Sequence, residues 1–223
     1  MVKLAMAFGY YGTLRTASEM TTIRWESIKK THEGYWVSFQ AAKTRKTTTQ
    51  IADFLLPKLD DQSICPCVIL ESYRDCLPTD RKLPGVFRTY RVTKGGQGTF
   101  IHSQLGQNSI SKFGIEVATF LELSNPSSYT GHCWRRTSAT AMADAGASIE
   151  QLKTAGRWRS TTAAEGYLAN SKLGKRTRAD LLTSVLVDKA EKNMQIQPPP
   201  AGSLAPIFNI TIQGNVEKMT IMK

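Results

Sequence analysis

The sequence predicts an α+β fold that is mostly helical, with a small β-hairpin element in its N-terminal half. The run Tyr35–Phe39 is rich in aromatic and β-branched residues, and a second such run follows a polar turn, so residues 35–57 are predicted to form a β-hairpin. Elsewhere, apolar side chains recur at helical spacing, as at Ile110, Phe113 and Val117. The chain has 223 residues, 41% of them hydrophobic, which is enough for the core of one sizeable domain.

Helices are predicted on both sides of this hairpin. Residues 2–24 are expected to be helical with a break at Phe8–Gly12, because two glycines within four residues weaken a helix. Arg15 lies beside the apolar stripe that follows the break, so its guanidinium can turn inward. A further helix is predicted over residues 64–77, with Pro66 in its first turn, where proline is tolerated.

After that helix, the sequence predicts a short strand over Phe87–Val92 and then a flexible loop at Lys94–Gly98. Several helices follow, one of them from His132 to about Ala145 and one carrying Tyr167. The N-terminal caps predicted for these helices are Ser109, Thr130, a capping box of Ser148 and Gln151, and Ser160 or Thr161.

The composition predicts three parts of the chain. Residues 1–188 are expected to form one domain. A proline-rich linker is predicted over residues 189–206. Residues 207–223 alternate apolar and polar types, which predicts a β segment. A hairpin of that size is unstable alone, so we expect it either to add to a sheet or to pack against another copy as an oligomerisation element.

The charge balance favours a polyanionic partner. There are 29 Lys and Arg against 18 Asp and Glu, a net charge of +11, which favours nucleic acid over a membrane, although a merely basic soluble protein remains the alternative. No apolar run reaches the roughly 18 residues of a membrane span, and no signal peptide is predicted. The four cysteines are expected to be free thiols, because they match neither a disulfide scaffold nor a zinc site. We therefore expect an intracellular protein, nuclear in a eukaryotic host.

The stretch from Tyr129 to Ala169 carries residue types suited to chemistry on a phosphate. His132 and Arg135 are three residues apart and so share a helix face, Trp158 follows in a Gly-Arg-Trp turn, and a tyrosine lies nine residues further on. Cleaving a phosphodiester without a metal needs a nucleophile, donors for the charged oxygens and an acid for the leaving oxygen. Each residue alone is more often a packing or solvated residue, so the prediction rests on their joint spacing.

These motifs resemble a known family. The sequences GHCWRR, GRWRSTT and AAEGYLA resemble the C-terminal boxes of the tyrosine recombinases, the phage-integrase family. LRTASEMTTIRWESI is similar to that family's first arginine box, and KTRKTT is similar to its β-hairpin lysine. The resemblance covers roughly residues 5–187 and is strongest to the recombinases of Crypton-type eukaryotic transposons. It implies the tyrosine-recombinase catalytic-domain fold.

The resemblance also implies roles for five residues of these motifs. Arg15 and Arg135 would bind the non-bridging oxygens of the scissile phosphate, and His132 would assist proton transfer. Trp158 stands where most members of the family have histidine; it can donate one hydrogen bond but cannot carry a proton. Tyr167 would attack the phosphate and form a 3′-phosphotyrosine link.

The remaining candidates lie in the hairpin turn and on basic surfaces. Lys43 would be the general acid for the leaving 5′ oxygen, with Lys46 as the alternative. The family usually has an acidic residue three positions after the first arginine, but here Ser18 stands there and Glu19 follows, which leaves the role of Glu19 open. Candidate contacts to the DNA backbone are Arg45, Lys46, Arg136, Arg157 and Arg159.

Taken together, the resemblance implies an enzyme that cleaves and rejoins double-stranded DNA, in recombination or transposon integration and excision. It would need no metal, ATP or other cofactor and no small-molecule substrate, and it would act as a homo-oligomer, a dimer or tetramer on DNA. Family members also carry an N-terminal DNA-clamping domain, whereas only 14 residues precede Arg15. The alternatives are a catalytically silent domesticated DNA-binding or assembly protein and a relaxing type IB topoisomerase.

Overall fold

The computed structural model describes residues 1–41, 50–78 and 83–194. The contacts divide the chain into two units, Met1–Arg178 and Ala179–Lys223. Of the second unit, the structure describes one helical stretch, which bears several exposed apolar side chains, including Leu181, Leu182 and Leu186. The predicted β segment over residues 207–223 lies outside the described residues, so the predicted division at residue 188 stays a prediction.

Eight helices and five strands make up the described chain. The helices are α1 (Val2–Tyr11), α2 (Thr16–Met20), α3 (Pro66–Asp75), α4 (Gln107–Phe120), α5 (Cys133–Asp144), α6 (Ile149–Gly156), α7 (Thr162–Asn170) and α8 (Lys172–Met194). The strands are β1 (Ile28–Lys30), β2 (Gly34–Gln40), β3 (Ile51–Pro57), β4 (Arg88–Val92) and β5 (Gly98–Gln104). Short 3₁₀ turns lie at Trp25–Ser27 and Pro126–Ser128. This confirms the predicted α+β fold.

The predicted hairpin is confirmed and belongs to a three-stranded antiparallel sheet in the order β1-β2-β3. Val37 lies on the central strand β2, where it pairs with Ile28 on β1 and with Phe54 on β3. Val37, Phe39 and Phe54 are buried, whereas Trp36 is exposed, so one face of the sheet packs on the core. The three-residue strand β1 was not predicted, because a run this short carries too little alternation to be recognised.

A second, two-stranded antiparallel sheet pairs β4 with β5. The strand predicted over Phe87–Val92 is confirmed as β4. The predicted flexible loop at Lys94–Gly98 is instead the turn of a hairpin. Thr93 N donates to Gln97 O at 2.8 Å, and Gly96 N donates to Thr93 O at 3.0 Å. Strand β5 escaped prediction because it begins with glycine and is rich in polar residues.

The main core surrounds α1. Leu4 and Phe8 are fully buried, and the Phe8 ring meets those of Phe54 and Phe87 edge-on, with centroids 5.6 and 5.9 Å apart. The predicted helix break lies later than expected, because Gly9 is inside α1. A Cβ on Gly9 would lie 2.6 Å from Cβ of Trp134, so this glycine lets α1 approach α5 closely.

Helix starts differ from the prediction at two places. Helix α4 begins at Gln107 with Gly106 as its N-cap, so Ser109 lies inside the helix. Helix α5 begins at Cys133 with His132 as its N-cap; Thr130 contributes its carbonyl, which accepts from Cys133 N at 2.9 Å.

The starts of the next two helices follow the prediction. The capping box of Ser148 and Gln151 at α6 is confirmed, and Thr161 is the N-cap residue of α7, without a side-chain hydrogen bond. Within the described ranges, no helix is long and apolar enough to span a membrane.

Candidate active site

Helix α5 presents the first pair of candidates. His132 caps the helix and is exposed, while Arg135, one turn further on, is buried with 6% of its surface accessible. The helix packs beside α1, α6 and α7, so its inward side meets main-chain groups from distant parts of the chain. The two residues therefore lie at the start of one helix, His132 exposed and Arg135 buried.

The Arg135 guanidinium is held from two directions. Its Nη1 donates to Thr13 O at 2.8 Å, and its Nη2 donates to Gly156 O. The guanidinium carbon lies 5.1 Å from the centre of the Trp158 ring, a cation–π contact. These contacts fix the cation at a single position.

Burial, together with the nearby charges of Arg157 and Arg15, lowers the pKa of Arg135 to about 10, while Glu19 and Tyr167 oppose the shift. The group stays protonated at neutral pH, because even this lowered value is well above 7. The site therefore holds an incompletely compensated buried cation, which an anionic ligand would stabilise.

Trp158 joins Arg135 to the candidate nucleophile. The rings of Trp158 and Tyr167 stack with centroids 5.3 Å apart and an interplanar angle of 21°. Both side chains are half-buried and pack against the small cluster of Ala143, Leu152 and Ala164. Arg135, Trp158 and Tyr167 thus form one continuous set of contacts.

The turn between α6 and α7 makes this stacking possible. Gly156 is the last residue of α6, and a Cβ on it would lie 2.5 Å from the Trp158 ring, so a larger residue would displace the indole. The left-handed residue at the helix end is Arg157, with φ +51°. The predicted helix end at Gly156 is confirmed, although this glycine serves close packing and not a left-handed turn.

Arg157 is an internal residue of the site. Its Nη2 donates to Glu19 Oε2 at 3.0 Å and to Thr13 O at 3.0 Å, and its Nη1 donates to Gly12 O at 3.1 Å. Its guanidinium carbon lies 4.9 Å from the centre of the Phe39 ring. Burial lowers its pKa, which Glu19 opposes. Arg157 is thus held by internal contacts, and its predicted contact with the DNA backbone stays a prediction.

Glu19 anchors the other end of this ion pair. Its carboxylate is 1% exposed and also accepts from Arg15 N at 2.7 Å. Glu19 therefore contacts both Arg157 and the main chain of Arg15, and its role in the chemistry stays a prediction. The position of Glu19, four residues after Arg15, could have indicated this contact, because residues four apart lie on one face of a helical turn.

The segment between α1 and α2 is where the contacts converge. Thr13 has a left-handed backbone with φ +47°, which is unfavourable for a β-branched residue. Its carbonyl accepts from both Arg135 and Arg157, and its hydroxyl is 2.9 Å from that of Ser138 on α5. The segment leads directly into Arg15, so these bonds fix the backbone from which that arginine projects.

The remaining candidates divide into two groups. Arg136 and Arg159 are exposed, and their predicted contacts with DNA stay predictions. Lys43, Arg45 and Lys46 lie outside the described residues. Among the residues that the structure does describe, no group of three or more His, Cys, Asp or Glu side chains could hold a metal ion.

Comparison with solved structures reveals similar folds. A XerH site-specific recombinase bound to a palindromic difH substrate, in a post-cleavage complex, has a TM-score of 0.55 and 14% identity over 81% of this chain and 45% of its own. A pre-cleavage XerH complex gives a TM-score of 0.52 with 14% identity, covering 81% and 46%. XerA recombinase gives 0.52 with 15% identity, covering 80% and 61%.

The chain therefore spans about half the length of these neighbours. No family model matches the sequence, and no curated protein matches it. The fold is thus the similarity that can be stated. The mixed α+β architecture, mostly helical with small sheets, is that of a tyrosine-recombinase catalytic domain.

Proposed function

We propose that this protein is a tyrosine recombinase that cleaves and rejoins double-stranded DNA through a 3′-phosphotyrosine intermediate. The observation that carries the proposal is the continuous contact of Arg135, Trp158 and Tyr167, with the charge of Arg15 close enough to lower the pKa of Arg135. The residues come from opposite ends of the domain, and the fold brings them to one place. Site-specific recombinases with the same fold support the assignment.

The proposed cleavage is a transesterification. The hydroxyl of Tyr167 gives up its proton, a transfer that His132 would assist, as its oxygen forms a bond to phosphorus and the bond from phosphorus to the 5′ oxygen of the next nucleotide breaks. The leaving oxygen takes a proton, for which Lys43 is the proposed donor and Lys46 the alternative. Arg15 and Arg135 would hold the non-bridging oxygens, since planar guanidinium groups match phosphate geometry. Religation reverses these steps with a new 5′ hydroxyl.

Arg157 and Glu19 have a positioning role in this proposal. They fix the Gly12–Thr13 carbonyls and the Arg15 main chain, so two of the phosphate ligands are held before the substrate arrives. Such preorganisation is the main source of electrostatic stabilisation of a transition state.

We further propose that the enzyme belongs with the Crypton-type transposon recombinases and acts as a homo-oligomer on DNA.

Covalent trapping tests the proposed function. The full chain is mixed, in EDTA, with a pool of nicked suicide duplexes of randomised central sequence, and adducts are resolved on a denaturing gel. We expect a protein–DNA adduct from the wild type and from Tyr129→Phe, a matched change at a half-buried tyrosine, but none from Tyr167→Phe.

Three other results would change the assignment. An adduct that persists in Tyr167→Phe would exclude this nucleophile. Salt-sensitive DNA binding without any adduct would favour a silent DNA-binding protein. Relaxation of supercoiled plasmid without strand exchange would favour a topoisomerase.

A further inference from the structure

The hairpin of β4 and β5, here called the β-ribbon, is exposed over most of its length. All ten residues from Tyr90 to Thr99 are exposed. They include two large apolar side chains, Tyr90 at 49% and Val92 at 65% accessible surface. None of the proposed chemistry uses this element, although a two-stranded ribbon of this kind is poorly suited to stand alone in water.

The β-ribbon nevertheless has side-chain packing and hydrogen bonds of its own. The Tyr90 ring lies across Gly98, where a Cβ would overlap the tyrosine oxygen, and its centroid is 5.1 Å from that of the Phe100 ring. Phe100 in turn packs edge-on against buried Tyr73, with centroids 5.3 Å apart. The Thr93–Gln97 turn is closed by hydrogen bonds. The ribbon is therefore attached to the core through one face, and the other face is left to solvent.

The base of the β-ribbon adjoins the elements that form the site. Gln104 Nε2 donates to Thr21 O at 2.8 Å, directly after α2, the helix that Arg15 precedes. The neighbouring residue Thr22 exchanges hydrogen bonds with the main chain of Gln40, at the end of β2. The base of the β-ribbon thus lies beside the end of α2, the helix that follows Arg15.

All the charged side chains in the part of the chain that contains the β-ribbon are positive. Between Asp80 and Glu116 there are six basic residues and no acidic one, whereas the whole chain has a net charge of +11. Arg91 and Lys94 are the exposed cations of the β-ribbon, and neither is ion-paired with a carboxylate within the described residues. More than half of the excess positive charge therefore lies in about one sixth of the sequence.

We propose that the β-ribbon is a second DNA-contacting element that lies in the major groove beside the cleaved phosphate, with Arg91 and Lys94 on the DNA backbone. The inference rests on the proposed function and adds a contact surface to it. The major groove, about 12 Å wide, admits a two-stranded ribbon. A seven-residue strand such as β5 is about 24 Å long, enough to follow the groove.

The test measures the salt dependence of duplex binding by the full chain, with a duplex of random sequence, about four helical turns long, as the probe. The ribbon variant is Arg91→Ala with Lys94→Ala. The control is Lys3→Ala with Lys29→Ala, which removes the same charge from exposed positions on α1 and β1. A third variant, Gln97→Lys, adds a cation to the turn. Thermal melts check that all variants fold.

The slope of log affinity against log salt is expected to change by about 1 for each phosphate that a side chain neutralises. The slope of the ribbon variant should therefore be shallower than that of the wild type by about 2, and that of the control by less than about 0.5. The slope of Gln97→Lys should be steeper by about 1. Equal slopes for the ribbon variant and the control would overturn the proposal, as would an unchanged slope in Gln97→Lys. A wild type that binds no duplex at low salt would instead refute DNA as the substrate.

Discussion

The Glu19–Arg157 ion pair gives a prediction whose size follows from its burial. Glu19→Gln keeps the side-chain volume and an oxygen for the Arg15 N–H group, but it removes the negative charge that faces Arg157 at 3.0 Å. Breaking a buried ion pair at one partner costs about 3–5 kcal/mol. The Arg157 side chain is 21% exposed and has three carbonyl acceptors, so we expect the lower end, about 3 kcal/mol.

Urea unfolding followed by circular dichroism measures this loss directly. For a domain of this size, about 3 kcal/mol corresponds to a melting temperature lower by roughly 6–12 °C. The matched control is Glu26→Gln, at an exposed acid on the 3₁₀ turn, which should change stability by less than about 0.5 kcal/mol. If Glu19→Gln proves as stable as this control, the ion pair contributes nothing and the carbonyls alone position Arg157. The variant should also trap less DNA at equal folded concentration.

Three further predictions follow from other contacts. Tyr73→Phe should cost about 1–3 kcal/mol in urea unfolding, because its buried hydroxyl pairs with two main-chain groups. Gly114→Ala should destabilise the fold, because the new Cβ would overlap Tyr129 O. Gly166→Ala, where the new Cβ would lie in open space, should instead stabilise α7 by about 0.5–1 kcal/mol. Equal shifts of the melting temperature in the two variants would contradict this. Sulfate should raise the melting temperature more than chloride at equal ionic strength, because a dianion relieves the buried charge of Arg135. In Arg135→Lys that difference should shrink to the general salt effect.

The sequence predicted the local structure correctly where its pattern was strong. The aromatic, β-branched run from Tyr35 predicted the hairpin, and the spacing of Ser148 and Gln151 predicted a capping box, because both signals depend on neighbours in the chain. Strands β1 and β5 were missed although each pairs with a strand close to it in the chain, β1 with β2 and β5 with β4. Strand β1 has only three residues, and β5 begins with glycine and is rich in polar residues, so neither has an alternating apolar pattern of its own.

The site shows the same division. The spacing of His132, Arg135, Trp158 and Tyr167 was sufficient to select four residues, since helix periodicity and a short turn limit how far apart they can lie. The sequence offered Arg157 as a candidate contact to the DNA backbone, and it did not show the ion pair that this residue forms with Glu19. A left-handed turn at the end of α6 and a buried carboxylate 138 residues away decide its direction.

By itself, the sequence determined the fold class and the order of most elements, and it selected the residues that are proposed to act on a phosphate. Those properties follow from local periodicity and from the chemistry of individual side chains. Only the tertiary structure decided that Glu19 pairs with Arg157, that Trp158 stacks on Tyr167, and that the base of the β-ribbon contacts the end of α2. Such contacts join segments far apart in the chain, and their geometry depends on how the helices and sheets pack around one core.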